Sequence, residues 1–307
     1  MIACGVVAVL AAAACCQQQA GEASREPTPI RPADINRQEA VPWHQVDTAP
    51  DWVGQVPVAP ARLHYLVTHT GGGPRLTQDR CARDSFLDSY HLLREHLAPA
   101  LGLAKSDAVV RAALDHTALV EATWGMIPTR DRGQGGMNYG IAWCLWCVDV
   151  RGTVGALEPA DQGHVEWLLS RPIVRWQEVE AVPEGFGAPA RVRGMLRLHF
   201  SHEGKTFALA RESSLTQVRD ACAVRLRKAL APVLTAAQVD AAVASGLRRL
   251  SPAQREYRHH SDPDDNGVER HRVTTYELWE IPLAGILRDL PQQRHAAVAK
   301  ALGVEPD

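Results

Sequence analysis

Residues 142–157, AWCLWCVDVRGTVGAL, decide the fold because a closely similar stretch returns in the second half of the chain as residues 275–290, TYELWEIPLAGILRDL. The two stretches align without a gap. In this alignment Trp146 corresponds to Trp279 and Gly152 to Gly285, and apolar residues correspond to apolar residues at several further positions. Such self-similarity indicates one supersecondary unit built twice. The sequence therefore predicts two related modules.

The segments before these stretches also correspond in order. One helical pattern begins at residues 76–78 and another at 215–217, both with the letters LTQ. Each leads to leucine, alanine and proline, then one residue and another leucine, at 97–101 and 230–234. This alignment requires the first helix of one module to be longer than its counterpart. Chance similarity in alanine-rich sequence is the alternative, but agreement across three separate elements favours a duplication.

Strand-like runs and amphipathic helical patterns follow one another through both modules. A strand is expected at 63–69. From Thr77, apolar residues recur at spacings of three and four, which indicates one face of a long helix. Further helices are expected at about 204–231 and 283–302. Antiparallel hairpins are expected where turn-rich loops separate the runs 119–126 and 139–150, 172–182 and 190–201, and 254–260 and 270–281. The predicted fold class is α+β, with two duplicated modules of antiparallel β-hairpins packed against long helices.

Residues 1–16 form a short apolar run that ends in small residues and cysteine. The run is shorter than the ~20 residues that cross a bilayer, and it fits the apolar part of an export signal. Cysteine after small residues is typical of bacterial lipoprotein signals, in which the cysteine receives a fatty acyl chain such as palmitate. Cys15, which follows Ala14, is the expected lipid site, and Cys16 is the alternative. No Lys or Arg precedes Cys15, so either the true start lies elsewhere or the signal is atypical; a soluble protein with an apolar tail is the remaining alternative.

The lipid anchor predicts a location in the bacterial cell envelope, with the periplasmic face of the outer membrane as the first expectation. Residues 17–49 are polar and bear proline, which predicts a disordered tether. The folded body is expected as module 1 at 50–160 and module 2 at 161–307.

The formal net charge is −2 with both signs interspersed, which argues against a nucleic-acid-binding protein. The expected partners are therefore the membrane, through the anchor, and another envelope protein.

Four cysteines lie outside the signal segment, at Cys81, Cys144, Cys147 and Cys222. Four cysteines allow three disulfide connectivities, and the sequence does not select one. Cys144 and Cys147 have the spacing of a thioredoxin-type redox motif, but their context is a strand. Residues three apart on a strand point to opposite faces, so packing is favoured over redox chemistry. The same alternation predicts that one of Trp143 and Trp146 is less buried than the other.

Residues 262–267, DPDDNG, resemble the first half of a calcium loop. A calcium loop of this kind needs a bidentate carboxylate at its twelfth position, where this chain has Val273. The pair of asparagine and glycine is by itself a strong turn signal. Asp262, Asp264, Asn266 and His271 are therefore weak metal candidates, and no metal or other cofactor is expected.

The order of tether, strand, long helix and aromatic-rich hairpins resembles a family of known proteins. The matching pieces are residues 50–53 (PDWV), the strand residues 65–67 followed by glycines, the helix from Thr77, and the runs 175–178 and 191–198. On these pieces the chain resembles the lipoprotein-20-like family of bacterial envelope lipoproteins, to which the N-terminal domain of the flagellar T-ring protein is related. The resemblance spans residues 50 to about 300 in two copies. It implies an envelope lipoprotein of small α+β domains with no catalytic residues to carry over.

Serine, histidine and aspartate are plentiful, but none stands in a nucleophile-elbow context. The sequence therefore predicts a non-catalytic envelope lipoprotein with a structural or adaptor role through contact with another protein. Two alternatives stay open: an envelope enzyme of unknown class, and a binding module that responds to calcium or another metal.

Overall fold

The recurrent stretch 142–157 forms the end of a strand and the short helix after it, and its repeat 275–290 does the same. The computed structural model describes residues 30–32, 41–71, 74–127, 139–184, 186–187, 192–263 and 269–305. By their contacts, the residues from Arg31 onward form one compact unit. Residues 1–16, with Cys15 and Cys16, lie outside the described residues, so the export signal and the lipid anchor stay predictions.

The first half of the chain builds a five-stranded sheet with helices packed against it. The strands are β1 Trp43–Gln45, β2 Val58–Ala59, β3 Arg62–Gly71, β4 Thr117–Ile127 and β5 Tyr139–Asp149. The helices are α1 Asp51–Gly54, α2 Pro74–Leu101, α3 Leu103–Asp115, α4 Val150–Gly155 and α5 Pro159–Leu169. The strand order is β1-β4-β5-β3-β2, in which β1 runs parallel to β4 and the other neighbours are antiparallel.

The second half repeats this plan with a four-stranded sheet. The strands are β6 Trp176–Glu178, β7 Met195–Gly204, β8 Ser251–Pro263 and β9 Glu269–Pro282. The helices are α6 Phe207–Leu230, α7 Ala236–Leu247, α8 Leu283–Leu287 and α9 His295–Leu302. The order is β6-β8-β9-β7, and β6 runs parallel to β8. The predicted α+β class is confirmed, with sheets that are mixed and not purely antiparallel.

Counterpart elements of the two halves stand 133 positions apart along the chain. β3 and β7 begin at Arg62 and Met195, and α3 and α7 begin at Leu103 and Ala236. Strands β1, β4, β5 and β3 of the first sheet have the same neighbours and directions as β6, β8, β9 and β7 of the second. This equivalence supports the duplication inferred from the sequence.

Both sheets also carry the same irregularity. The pairing of β4 with β5 shifts by one residue between Leu119 and Glu121, and the pairing of β8 with β9 shifts between Pro252 and Gln254. Both shifts lie beside the tryptophan that the recurrent stretches share. A bulge of this kind inserts an extra residue that bends the strand, so its position is a second mark of a common plan.

The alignment of the first helices by the letters LTQ is wrong. α2 begins at Pro74 and α6 at Phe207, so the same 133-residue spacing holds and the helices need no length difference before their shared leucines. The start of each helix is fixed by its close approach to the preceding strand. A Cβ on Gly71 would lie 2.7 Å from Thr77 Oγ1, and a Cβ on Gly204 would lie 2.7 Å from the backbone nitrogen of Ala210.

Two of the three predicted hairpins are confirmed, as β4 with β5 and β8 with β9. The middle hairpin, predicted from residues 172–182 and 190–201, does not form. β6 keeps three residues of the first run and pairs with β8, while β7 pairs with β9. A turn-rich loop permits a hairpin but does not exclude a different neighbour, and here the sheet of the module selects the partner.

Two boundaries drawn from composition differ from the structure. β1 lies within the stretch 17–49 that was predicted as a disordered tether, and it pairs with Ala122, Thr123 and Trp124 of β4. A three-residue strand is too short to leave a periodic signal. The module boundary predicted between residues 160 and 161 falls inside α5.

Each long helix packs against its own sheet through equivalent leucines. Leu93 and Leu97 of α2 are fully buried, and so are their counterparts Leu226 and Leu230 of α6. Burial of a leucine side chain contributes roughly 1.5–3 kcal/mol. The two cores therefore form from the same positions of the repeat.

Candidate functional site

Two of the metal candidates, Asp262 and His271, lie near the ends of the paired strands β8 and β9. Asp262 pairs with Arg270 and His271 pairs with Ser261 across the two strands. Asp264 and Asn266 lie outside the described residues. Within the described part of the chain, no three His, Cys, Asp or Glu side chains gather as a potential metal site. The metal hypothesis therefore stays a prediction.

The cysteines separate as the alternation of β5 predicts. Cys144 points towards α2, where its Sγ lies 3.4 Å from Sγ of Cys81, and both residues are fully buried. Cys147, three residues on, is partly exposed on the opposite face, and Cys222 is buried in the second core. All four are thiols in this structure.

The expected difference between the two tryptophans of β5 is wrong. Trp143 is 3% exposed and Trp146 is 0% exposed. Alternating exposure requires one face of the strand to meet solvent, whereas residues 142–146 are buried without interruption. Both rings serve as core.

A buried ionic cluster joins the modules where the last turns of α2 meet the second sheet. Arg255 of β8 is 4% exposed and Glu277 of β9 is 0% exposed. Arg255 Nε lies 3.6 Å from Glu277 Oε2, an ion pair without a hydrogen bond, and Trp279 Nε1 donates to the same oxygen at 3.2 Å. Arg255 Nη2 donates to the backbone carbonyl of Glu95 at 3.1 Å. Module 1 thus supplies an acceptor to a charge of module 2.

The carboxylate of Glu95 makes the second half of this cluster. Its Oε1 lies 2.9 Å from Arg211 Nε, and Trp176 Nε1 donates to its Oε2 at 3.2 Å. The guanidinium of Arg255 lies 5.5 Å from the ring centroid of Trp176 and 5.0 Å from that of Trp279. These are cation–π distances. The cluster is a network of charges and aromatic rings drawn from both modules.

The electrostatics of the cluster favour a structural role. Burial raises the pKa of Glu277, while Arg255 and hydrogen bonds from Ser214 and Trp279 oppose that shift. Oε1 of Glu277 is buried without a hydrogen-bond partner. Buried charges of this kind are costly unless paired, so the paired arrangement fixes one geometry between the modules.

An open cleft lies close by, between the β2–β3 edge and the connection that follows α5. Residues 56–58, 62–66, Leu92, 170–173 and Arg175 line it, and the space that a water-sized molecule can enter is about 40 Å³. The lining is mostly apolar, and its charged groups are Arg62, Arg171 and Arg175. No carboxylate lines the cleft within the described ranges.

These three arginines have no ion-pair partner among the described side chains. Arg171 lies over the ring of Trp167, with its Cζ 5.4 Å from the centroid. Removal from water lowers the pKa of Arg175, and no opposite charge offsets that shift. Burial also lowers the pKa of His64, and the charge of Arg62 acts in the same direction. Although Arg62 faces Asp149 across β3 and β5, none of the three arginines is in an ion pair with a described side chain, so the cleft carries a net positive charge.

A strand edge borders the cleft. On its outer side β3 pairs with β2 through Arg62 and Leu63. From His64 onward, no strand of the described chain pairs with that side of β3. An unpaired edge offers backbone donors and acceptors to an incoming strand.

A second groove tests the enzyme alternative, because His116, Cys147 and Asp149 all line it. A catalytic cysteine needs a lowered pKa and a base at hydrogen-bond distance. Burial instead raises the pKa of Cys147, and its Sγ donates to the carbonyl of Val148 at 3.8 Å. This groove does not have the geometry of an activated thiol.

Sequence reasoning missed both the cluster and the cleft. The cluster left one signal, since Glu277 interrupts an apolar strand at the position where the first module has Cys144. The cleft left none, because Arg62 stands far from Arg171 and Arg175 along the chain. Tertiary structure alone brings them together.

Comparison of the chain with family models, curated proteins and solved structures finds no match. The lipoprotein-20-like resemblance therefore stays a prediction. Among the helices of the described residues, none has the length and apolar character needed to cross a membrane.

Proposed function

We propose that this protein is a non-catalytic adaptor of the bacterial envelope that binds an acidic, extended segment of a partner protein in the cleft between β2–β3 and residues 170–175. The observation that carries the proposal is the net positive charge of three arginines above an apolar floor. Arginine pairs well with carboxylates because its guanidinium presents a fork of donors.

The neighbouring strand edge favours a peptide over a small anion. An extended segment beside β3 would gain backbone hydrogen bonds, and its alternate side chains would reach the cleft. Val58, on the lip of the cleft, is 81% exposed and available for apolar contact. The occupant is therefore a strand with acidic and apolar residues in alternation.

The envelope location rests on the predicted signal at 1–16, with Cys15 as the lipid site and Cys16 as the alternative. The polar stretch after it provides reach from the membrane surface. A lipid anchor holds a protein at the membrane without a spanning segment. The proposed adaptor would hold its partner close to that surface.

Intact mass and membrane fractionation in a bacterial host test the anchor. The expected product is membrane-bound, truncated to Cys15, and heavier by its acyl chains; replacement of Cys15 by serine is expected to release it unless Cys16 substitutes. A soluble product that keeps Met1 would remove the anchor from the proposal.

Peptide binding tests the cleft independently of the anchor. An eight-residue fluorescent peptide of alternating valine and glutamate is expected to bind, and its valine–lysine counterpart is not. Arg62→Glu with Arg175→Glu is expected to weaken binding at least about tenfold, which corresponds to about 1.4 kcal/mol. Arg75→Glu with Arg80→Glu is the matched control, since both arginines are exposed on α2 outside the cleft. Equal binding of both peptides, or equal loss in the control, would refute the site.

A further inference from the structure

Cys81 and Cys144 form a pair in the first core. Cys81 lies in α2 and Cys144 in β5, and their sulfur atoms are 3.4 Å apart. Both residues have no exposed surface. The hydroxyl of Ser85 donates to the backbone carbonyl of Cys81 one turn earlier in α2, so this hydroxyl is satisfied within the helix.

The second module shows what the same two positions hold elsewhere. The counterparts of Cys81 and Cys144, 133 residues later, are Ser214 and Glu277. Burial raises the pKa of the Glu277 carboxyl, and a hydrogen bond from Ser214 opposes part of that shift. Both modules therefore join the long helix to the strand after the glycine-bearing loop at this point, with different chemistry.

The remaining cysteines cannot share this geometry. Cys147 points to the opposite face of β5, and Cys222 lies among the core residues of the second module. Of the three possible connectivities, the two that join Cys81 or Cys144 to another partner would require the core to come apart.

We propose that Cys81 and Cys144 form a disulfide bond when the chain folds in an oxidising compartment, and that Cys147 and Cys222 stay thiols. The oxidant is a disulfide, either a small molecule or a disulfide-carrying oxidoreductase. One cysteine thiolate attacks the oxidant's disulfide to give a mixed disulfide and release one thiol. The second cysteine thiolate then displaces the other thiol. The two cysteines lose two electrons and two protons in total, and the oxidant becomes two thiols.

The bond forms before α2 is fully packed on β5. Thiolates are the reacting species, and both sulfur atoms are closed to solvent in the folded chain. The hydrogen bond to Cys81 and burial raise the pKa of Cys144. Once folded, the reduced pair resists oxidation, and the oxidised pair resists reduction. This inference needs neither the proposed adaptor role nor the cleft.

Refolding of the full chain from denaturant in oxidised glutathione, followed by alkylation without reduction and trypsin digestion, tests the pair. Trypsin cuts after Arg80 and Arg83, which isolates Cys81, whereas Cys144 and Cys147 share the peptide 133–151. The variant Cys147→Ser leaves Cys144 as the single cysteine of that peptide. The expected result is a cross-link between the two peptides, with Cys222 alkylated.

Thermal unfolding supplies a second readout. The oxidised chain is expected to have a Tm higher by about 5–10 °C than the reduced chain, because the bond restrains the unfolded state. Cys222→Ser is expected to leave that difference unchanged. Cys81 and Cys144 recovered as alkylated thiols, a cross-link to another cysteine, or a lower Tm on oxidation would each overturn the proposal.

Discussion

Arg255 and Glu277 are directly paired on neighbouring strands and buried beneath α2, so each depends on the other to remain charged in the core. The first module has Ala122 and Cys144 at these two positions. The buried ion pair is therefore specific to the second module. Single substitutions here should reveal how tightly the junction with the first module is held.

Replacement of Arg255 by alanine is expected to lower the free energy of unfolding by about 3–5 kcal/mol, because it leaves the carboxyl of Glu277 buried without its partner. Urea denaturation at pH 7 measures the loss. Arg272→Ala is the control, since Arg272 pairs with Glu203 where both side chains are nearly half exposed, and exposed pairs contribute about 0–1 kcal/mol. The double variant Arg255→Met with Glu277→Met should recover most of the loss. Equal losses for the two single variants would contradict this account.

We expect the buried His96 to make the native chain less stable in mild acid. Burial lowers its pKa from 6.5 to about 4, with Arg255 and Arg171 acting in the same direction and the carbonyl of Leu168 opposing. Between pH 6.5 and about pH 4, His96 is protonated in the unfolded chain but not in the native chain. The free energy of unfolding therefore falls as the pH drops through this range. Below about pH 4 both states are protonated and this loss stops growing.

His96→Gln should therefore flatten part of the acid response. Between pH 7 and pH 5 the variant is expected to lose about 2 kcal/mol less than the natural chain. Urea midpoints at the two pH values give the difference. His259→Gln, at an exposed site, controls for the change of side chain; identical pH responses of the natural chain and the His96 variant would sink the prediction.

At the scale of elements, equivalent contacts hold equivalent helices. Arg94 pairs with Asp107 between α2 and α3, and their counterparts Arg227 and Asp240 pair between α6 and α7. Gly71 and Gly204, at the ends of β3 and β7, likewise allow the following helix to pack close to the strand, since a Cβ at either position would lie 2.7 Å from an atom of that helix. These positions fix where each long helix begins.

Gly204→Ala is expected to destabilise the chain by about 1–3 kcal/mol, because the new Cβ would overlap backbone atoms of α6 that cannot rotate away. Its nearest contact, at 2.7 Å, is the backbone nitrogen of Ala210. Gly71→Ala should cost less, since its nearest contact is the side-chain oxygen of Thr77. Thermal and urea unfolding would rank the two.

Gly163→Ala is the matched control for these glycine variants. A Cβ at this position in α5 would meet no atom within 4 Å. A helix interior favours alanine over glycine by about 0.5–1 kcal/mol, so this variant should be more stable. If all three variants behaved alike, close packing of strand and helix would not explain the loss.

At the scale of the whole molecule, the two modules are expected to unfold together. Besides the buried cluster, Arg219 of α6 donates to the backbone carbonyls of Pro99 and Ala100 at the end of α2. Arg219 of module 2 thus caps the C-terminal end of α2, a helix of module 1. Calorimetry should therefore show one thermal transition with a van't Hoff enthalpy close to the calorimetric enthalpy.

Glu95→Ala combined with Arg219→Ala should uncouple the modules and broaden or split that transition. Both changes remove contacts across the junction and leave each sheet intact. Arg227→Ala is the control, because its pair with Asp240 lies inside module 2 and is more than half exposed on both sides. A single sharp transition in the double variant would show that other contacts provide the coupling.

Much of the fold was predictable from local pattern, whereas the candidate site was not. The helix expected at 204–231 and the hairpins around Trp146 and Trp279 carry strong periodicity and turn signals, and the structure confirms them. The single helix expected at 283–302 is wrong, because the chain forms two separate helices there, Leu283–Leu287 and His295–Leu302. Strands β1 and β6 have three residues each, which is too short to show an alternating apolar pattern. Their parallel partners, β4 and β8, lie more than 70 residues further along the chain. Arg62 likewise lies far from Arg171 and Arg175 along the chain, and only tertiary packing brings the three side chains to one cleft.

Spacing along single segments is enough to predict the α+β class, the strand and helix found at both 142–157 and 275–290, and the separation of Cys144 from Cys147. The positions at which the long helices begin, the neighbour of Cys144, the buried pair of Arg255 and Glu277, and the cleft of three arginines depend instead on the tertiary structure. Each of these depends on which segments pack together, and packing is a property of the whole chain.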